Sequence, residues 1–378
     1  MALDLWLRET SAVTGGFLWI SNTISLLLAR HPGARVHLLP YEPPEPRSAL
    51  RTALEALGAT VGVLEVGVDE VREPGGARVA VPGVRPEPVS AAALTQLVAA
   101  LNQAHAYSLV VVRSYDRSDT VSAVAKALGS LHRVWVQAFP GTVREDNKIL
   151  VTQEQGGTLV LQSPMQLSRD PEARRREVWL PPLVNFALAA APRAAPRHRQ
   201  AVCYIGAYGN GHQYLVDELV LAWPLVRERF PAATLHIVLG FGAQKFPSRL
   251  RTAPGVNVSV TSISHEAAIA MYRHHCDVGV RGLDARNPPH MHAMISTKII
   301  EMGATALPIV VNPSPINDHL LGTDYPLRWP YTATMPQAFA AVLLNTMSQP
   351  ALYELASRRV LDMAHRFTFD SILAQLPA

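Results

Sequence analysis

The chain holds only four lysines, Lys126, Lys148, Lys245 and Lys298, and carries arginine at every other Lys/Arg position. One of the four opens the helical run in "MISTKIIEMGATALPIVV", residues 294–311, with Glu301 one turn behind it. Ser296 fits an N-cap, which places Lys298 in the first turn of a helix over Thr297–Thr305. A cation there opposes the helix macrodipole at a cost of about 0.3–1 kcal/mol. A bound anion reverses the sign, because free backbone N–H groups, dipole and ammonium would all point at it, and a phosphate is the obvious anion. Lys298 and Glu301 share a helix face, and alone they read as a surface ion pair worth a few tenths of a kcal/mol. Their setting argues for more. The helix is short, apolar elsewhere (Ile299, Ile300, Met302), and feeds "LPIVV", a buried strand. A carboxylate one turn past a phosphate is a natural acceptor for ribose hydroxyls.

Other residues could join this chemistry. Arg281, ending "DVGVR", and Lys245, following "GFGAQ", are further cations, each equally readable as an ordinary surface charge. "SLVVVRSYDRSD" offers Asp116 and Asp119 at the carboxyl edge of a strand. Asp116 suits a general base acting on a hydroxyl, and Asp119 suits a helix cap. His290 and His292 form a His-x-His pair on a loop stiffened by Pro288 and Pro289, with no third ligand evident, so no metal is expected there. They suit ligand contact or structure. His274-His275 closes a helix where the dipole favours positive charge.

The elements that must position these groups alternate. "RVHLLP" (35–40), "ATVGVLEV" (59–66), "SLVVVRS" (108–114), "RVWVQAF" (133–139) and "TLVLQS" (158–163) read as strands. Their near-continuous apolar character suits a parallel sheet covered on both faces. "WISNTISLLLARH", "RSALRTALEALG", "AAALTQLVAALNQAH" and "TVSAVAKALGSLH" read as the intervening helices. A breaker-rich stretch, 186–200, follows, and then the alternation restarts: strands at 201–209, 234–240, 256–262, 276–283 and 307–312, with helices at 213–231, disturbed at Pro224, and 265–275. Strand–helix alternation twice over predicts an α/β chain of two doubly wound, Rossmann-like domains, with a ligand cleft between the carboxyl ends of their strands. The boundaries expected are 1–190, a linker at 191–200, 201–350, and C-terminal helices over 351–378.

Length and composition agree with this. At 378 residues, two cores are the natural expectation. A 48% apolar content with 17% charge describes a globular chain. The net charge of +4 suits an anionic small ligand or an acidic membrane surface without requiring either. Basic residues are scattered rather than interleaved with aromatics, which argues against nucleic acid. Arg174-Arg175-Arg176 before Val178-Trp179-Leu180 reads first as a solvated helix end and second as a peripheral membrane contact. "GGFLWISNTISLLLA" is too polar and short to span a bilayer. The start lacks a basic run, so no signal peptide is expected. Cys203 and Cys276 match no metal spacing and suit a reducing, cytoplasmic setting.

"STKIIEMGATALPIVVN" resembles the nucleotide-sugar helix of GT-B glycosyltransferases, roughly S-x-K-h-x-E-h-x-A-x-G-x-P-V-V. Further stretches are similar to that family in order: "YIGAYGNGHQYLVDELVLAWPLVRERFPAATLHIVLG" to the opening of its donor domain, "ISHEAAIAMYRHHCDVGV" to the next helix and strand, "NDHLLGTDYPLRW" to the segment after the donor helix, and "RFTFDSILAQL" to its crossover helix. "TGG", 14–16, lies where many members carry a Gly-rich acceptor-side loop. The resemblance implies a donor site at Gly206, Tyr208, Gly209, His212, Lys245, Arg281, Ser296, Thr297, Lys298 and Glu301. It implies an acceptor side at Gly15, Gly16 and Asp116, with Asp116 and Lys298 in catalytic roles.

The implied activity is transfer of a sugar from a UDP- or GDP-type donor to a glycan, lipid-linked or small-molecule acceptor, with no cofactor and no metal. Two departures bear on it. The glutamate that retaining members carry eight residues before Glu301 is Ala293 here, and "GAYGNGH" (206–212) lacks their Arg and Lys. "PPHMHAMISTK" is also similar to inverting bacterial exopolysaccharide glucuronosyltransferases, so the stereochemical outcome stays open. A non-catalytic sugar-nucleotide binder and a nucleotide-sugar epimerase are the competing expectations. A Rossmann dehydrogenase is not expected, since no G-x-G-x-x-G follows a first strand with an acidic residue about 20 further on.

Overall fold

The computed structural model describes residues 2–5, 15–40, 61–73, 76–85, 90–113, 118–141, 143–183, 200–208, 213–240, 243–260, 263–282, 289–329 and 336–376. The chain divides into two compact units, Met1–Pro182 with Leu373–Ala378, and Leu183–Ile372.

In the first unit the elements run β1 (Ala2–Leu5), α1 (Gly15–Arg30), β2 (Val36–Pro40), β3 (Val61–Val63), β4 (Glu65–Val66), β5 (Glu70–Arg72), β6 (Arg78–Ala80), α2 (Ala91–His105), β7 (Val110–Val112), α3 (Ser118–Leu128), β8 (Val134–Gln137), α4 (Val143–Glu154), β9 (Thr158–Leu161), α5 (Pro171–Arg174) and β10 (Glu177–Trp179). Seven strands form one sheet in the order β10-β9-β8-β7-β1-β2-β3, every pair parallel. The winding reverses between β1 and β7, the topological switch of a doubly wound sheet. Three consecutive valines make β7, all buried, as a strand covered on both faces requires. Leu94, Leu97, Val98 and Leu101 pack the inner face of α2 into the same core. That helix starts where Ser90 Oγ accepts from Ala93 N at 3.2 Å, and ends at Ala106, whose φ of 47° is left-handed.

The stretch expected as one strand at 59–66 is broken at Leu64. Beyond it, β4, β5 and β6 form a separate antiparallel meander whose Val71 is buried against α2. Gly15 and Gly16 open α1 rather than forming a loop before it. The first turn of a helix tolerates them because its N–H groups have no intrahelical acceptor. Val178 and Leu180 are buried, and Trp179 Nε1 donates to the Gln162 carbonyl at 3.2 Å, so this triplet completes the sheet edge. The arginines before it end α5, as a solvated helix end would.

The second unit runs β11 (Ala201–Gly206), α6 (Gln213–Arg229), β12 (Thr234–Leu239), α7 (Ser248–Arg251), β13 (Val256–Ser259), α8 (His265–His274), β14 (Val278–Val280), α9 (Thr297–Ala304), β15 (Ile309–Val310), α10 (Pro315–Leu321), α11 (Pro336–Ser348), α12 (Pro350–His365) and α13 (Phe369–Leu373). Its sheet is parallel throughout, in the order β13-β12-β11-β14-β15, with the switch between β11 and β14. Pro224 sits inside α6 without ending it, beside the fully buried Trp223. The segment before α9 contains a 3-10 turn, Pro289–Ala293, where an irregular loop was expected; proline suits the first position of such a turn. Both cysteines are buried and neither is in a disulfide. No helix among the described residues is long and apolar enough to cross a membrane.

Candidate functional site

In an open parallel sheet, ligands bind outside the carboxyl ends of the strands where the winding reverses. In the second unit that point lies between Gly206, the last residue of β11, and Arg281, the first residue after β14. The two meet. A Cβ on Gly206 would lie 2.8 Å from Tyr204 Oη and 3.1 Å from Arg281 Nη1, so only glycine leaves this edge open. Arg281 Nη1 donates to Tyr204 Oη at 3.5 Å, and Tyr204 Oη donates to the Ala207 carbonyl at 2.9 Å, tying the guanidinium to the turn that follows β11. Burial pushes the Tyr204 hydroxyl upward, with Arg281 opposing, so it remains a neutral donor.

Arg281 also reaches the start of α9. Its Nε donates to Ser296 Oγ at 3.0 Å. Ser296 is the N-cap residue, yet its side chain makes no cap hydrogen bond. The oxygen that normally satisfies a first-turn N–H is turned to the arginine instead, which leaves the helix start open to another acceptor. Lys298 lies one residue inside that turn and Glu301 one turn further.

Glu301 is fully buried and uses both oxygens: Oε2 is 2.8 Å from Lys298 Nζ and Oε1 is 3.0 Å from His265 Nδ1. Burial alone raises its pKa, but Lys298 and then His265 outweigh it and hold the carboxyl below the usual range. The group is therefore a carboxylate, and His265 Nδ1 carries the proton it donates. His265 is the first residue of α8, positioned by the Ser264 cap, whose Oγ accepts from Ala267 N at 3.1 Å. The lysine is thus anchored from behind by a buried carboxylate while 28% of its side chain stays exposed. Its cost at the helix start is offset within the protein, and two ammonium protons remain for an anion.

Of the residues expected at a donor site, Gly206, Arg281, Ser296, Thr297, Lys298 and Glu301 come together at this switch point. Tyr208 and Lys245 lie on the segments that follow β11 and β12. Tyr208 is buried, donates from Oη to Asp217 Oδ1 at 2.8 Å, and stacks edge-on against Phe246 at 5.1 Å, which makes it a brace for the turn. Lys245 closes a 3-10 turn after β12 and is exposed. His292 is half-buried in its 3-10 turn, close before α9. Gly209, His212 and Asp116 lie outside the described residues, as does the side chain of His290. Asp119 stands in the first turn of α3, where the dipole favours it.

His265, Tyr204 and Tyr272 escape the sequence reading. Tyr272, in α8, is fully buried beside Glu301, and its hydroxyl has no hydrogen-bond partner among the described residues. The first sheet carries its own polar set at the same edge. Arg113 follows β7, Gln137 ends β8, and Glu145 Oε2 holds buried Lys148 at 2.7 Å while accepting from Phe139 N at 2.8 Å. A buried Gln at a strand end and a buried Glu–Lys pair in the helix that follows are the signal, legible only once those elements are known. Among the described residues, no three side chains at the second unit's site converge as metal ligands.

No protein-family model matches the chain. No characterised protein matches it by sequence either. Solved structures do. HepE of Anabaena, crystallised with UDP and glucose, aligns with a TM-score of 0.67 at 13% identity, over 99% of this chain and 98% of HepE. Sucrose-phosphate synthase from Thermosynechococcus elongatus aligns at 0.62 and 14% identity, over 99% and 96%. WaaG, a glycosyltransferase involved in lipopolysaccharide biosynthesis, aligns at 0.57 and 12% identity over 100% of both chains. Likeness across the full length at such low identity speaks for architecture rather than activity, and by that architecture the chain has the GT-B fold of the glycosyltransferases it resembles.

Proposed function

We propose that this chain is a glycosyltransferase, taking a sugar from a nucleotide-diphosphate donor of UDP or GDP type and passing it to a glycan, lipid-linked or small-molecule acceptor. The observation that carries this is the open start of α9, where Arg281 has drawn the Ser296 hydroxyl away and Lys298 is anchored by buried Glu301. Preorganised cations and N–H donors stabilise the charge that builds on a departing diphosphate without reorganisation. The transfer step then needs no metal, because Lys298 and Arg281 supply the positive charge. Asp116 is the proposed acceptor base, Gly15 and Gly16 belong to the acceptor side, and Gly209 and His212 complete the donor side. The two structures of HepE with UDP and with UDP-glucose favour a uridine donor. A bacterial cytoplasmic role in polysaccharide biosynthesis, with or without a peripheral membrane contact, is consistent with WaaG and with the basic composition.

Thermal unfolding with UDP, GDP and a panel of their sugars tests the reading. Ligand at 100 times its Kd stabilises by about 2.7 kcal/mol, which for a unit of this size is about 5–11 °C in Tm. Lys298→Ala should keep its circular dichroism, lose that shift, and lose sugar transfer followed by mass spectrometry. Failure of every nucleotide and nucleotide sugar to raise Tm would overturn the proposal. Stabilisation without transfer to any acceptor and without donor hydrolysis would identify a binding subunit instead, and interconversion of sugar epimers would identify an epimerase.

A further inference from the structure

We propose a divalent transition-metal site, of zinc type, at the amino-terminal edge of the first sheet, with His37, Glu73 and His105 as ligands. His37 is the second residue of β2, Glu73 directly follows β5 of the antiparallel meander, and His105 is the last residue of α2. Three unrelated elements bring one ligand atom each to within 4.8 Å of one another. His105 Nε2 lies 2.6 Å from Glu73 Oε1, and the His37 ring meets His105 edge-on with centroids 4.6 Å apart. Bonds of about 2.0–2.1 Å in tetrahedral geometry set ligand atoms about 3.3 Å apart. The closest pair must therefore open by about 0.7 Å and the most distant close by about 1.5 Å, which side-chain torsions allow.

The surroundings are those of a metal site. Tyr107 Oη is 2.8 Å from His37 Nδ1, so the ring is oriented and Nε2 is the nitrogen offered to a metal. Tyr107 is in turn held through its carbonyl by Arg133 Nη1 at 2.6 Å, and Arg133 Nη2 donates to Asn102 Oδ1 at 3.0 Å. Two imidazoles and a carboxylate suit zinc among the common divalent ions, with a fourth position for water. All three ligands are half-buried, so an ion can enter. The site faces away from the carboxyl ends of the strands, hence outside the proposed transfer chemistry. Its effect is mechanical: it would clamp the meander to β2 and α2.

The test uses untagged full-length protein stripped with EDTA. Zinc content by mass spectrometry after reconstitution, and zinc affinity by competition with a chromophoric chelator, are measured for wild type, His105→Ala, Glu73→Gln and Tyr107→Phe. One tightly held zinc per chain is expected, with Tm rising on addition and cobalt(II) giving the intense visible absorption of a tetrahedral site. His105→Ala and Glu73→Gln should abolish these, Tyr107→Phe should weaken affinity about 10–100-fold, and His292→Ala should change nothing. Wild type that holds no zinc, or zinc retained undiminished in both ligand variants, would overturn the proposal. Circular dichroism of each variant separates loss of metal from loss of fold.

Discussion

Replacing Glu301 probes the anchor of Lys298 directly, and two substitutions give graded expectations. In Glu301→Gln the amide oxygen can still accept from Lys298, and the amide nitrogen can donate to His265 Nδ1 if the imidazole changes tautomer. Both hydrogen bonds survive and only the charge is lost. Bonds to charged groups are worth about 1.5–3 kcal/mol and neutral ones about 0.5–1.5, so the expected cost is about 1–2 kcal/mol. Glu301→Ala removes both acceptors from a fully buried position, for which breaking a buried pair costs about 3–5 kcal/mol. Lys298 is 28% exposed and can swing toward water, so the lower half of that range is expected. For a unit of this size the two variants should fall by about 2–8 °C and 6–16 °C in Tm. The pH profile gives a second readout. The folded carboxyl lies below its ordinary value of 4.5, so its contribution is in place above 4.5 and is lost as pH falls through the folded value. Wild type should therefore lose stability more steeply below pH 4.5 than Glu301→Gln does. Differential scanning calorimetry across pH measures both effects. An alanine variant within about 0.5 kcal/mol of wild type, or a glutamine variant costing as much as alanine, would refute the anchoring role.

Two further substitutions test the packing around the same helix. Tyr272→Phe removes a buried hydroxyl with no partner among the described residues, so it should be neutral or stabilising by up to about 1 kcal/mol in urea unfolding. A loss larger than that would mean the hydroxyl serves a bound group. Gly303→Ala gains about 1 kcal/mol of helix propensity, but its Cβ would lie 2.6 Å from the Val360 carbonyl and 3.0 Å from Ala364 Cβ. Overpacking against backbone costs about 1–3 kcal/mol and should win, so the urea midpoint should fall; a rise would show that α12 gives way.

Legibility from sequence followed the range of the interactions involved. The helix Ala91–His105 was readable to its last residue, because its cap, its apolar stripe and its stop are all local. Most parallel strands were readable as apolar runs for the same reason. The meander was not, although "EVREPGGARVA" alternates around a Pro-Gly-Gly turn; its three-residue strands are too short to stand out. The helix at Val143–Glu154 was missed because its mean character is polar, its buried side being an ion pair, Glu145 with Lys148. At the site, Lys298 and Glu301 were readable together since they share one helix. His265 was not, because its partner lies 36 residues away and only the fold brings them together. The sequence also pointed Glu301 outward as a ligand group, whereas both its oxygens already hold internal partners. Nothing local distinguishes a buried carboxylate from an exposed one.

The close approach of Gly303 to the Val360 carbonyl has a dynamic consequence. With no side chain between them, α9 and α12 pack closely at this point, and Arg366, at the end of α12, donates to the Leu320 carbonyl in the last turn of α10. Helices tied together in this way are expected to open as one unit. If the proposed nucleotide seats at the start of α9, amide hydrogen exchange should slow in α12 as well as in α9.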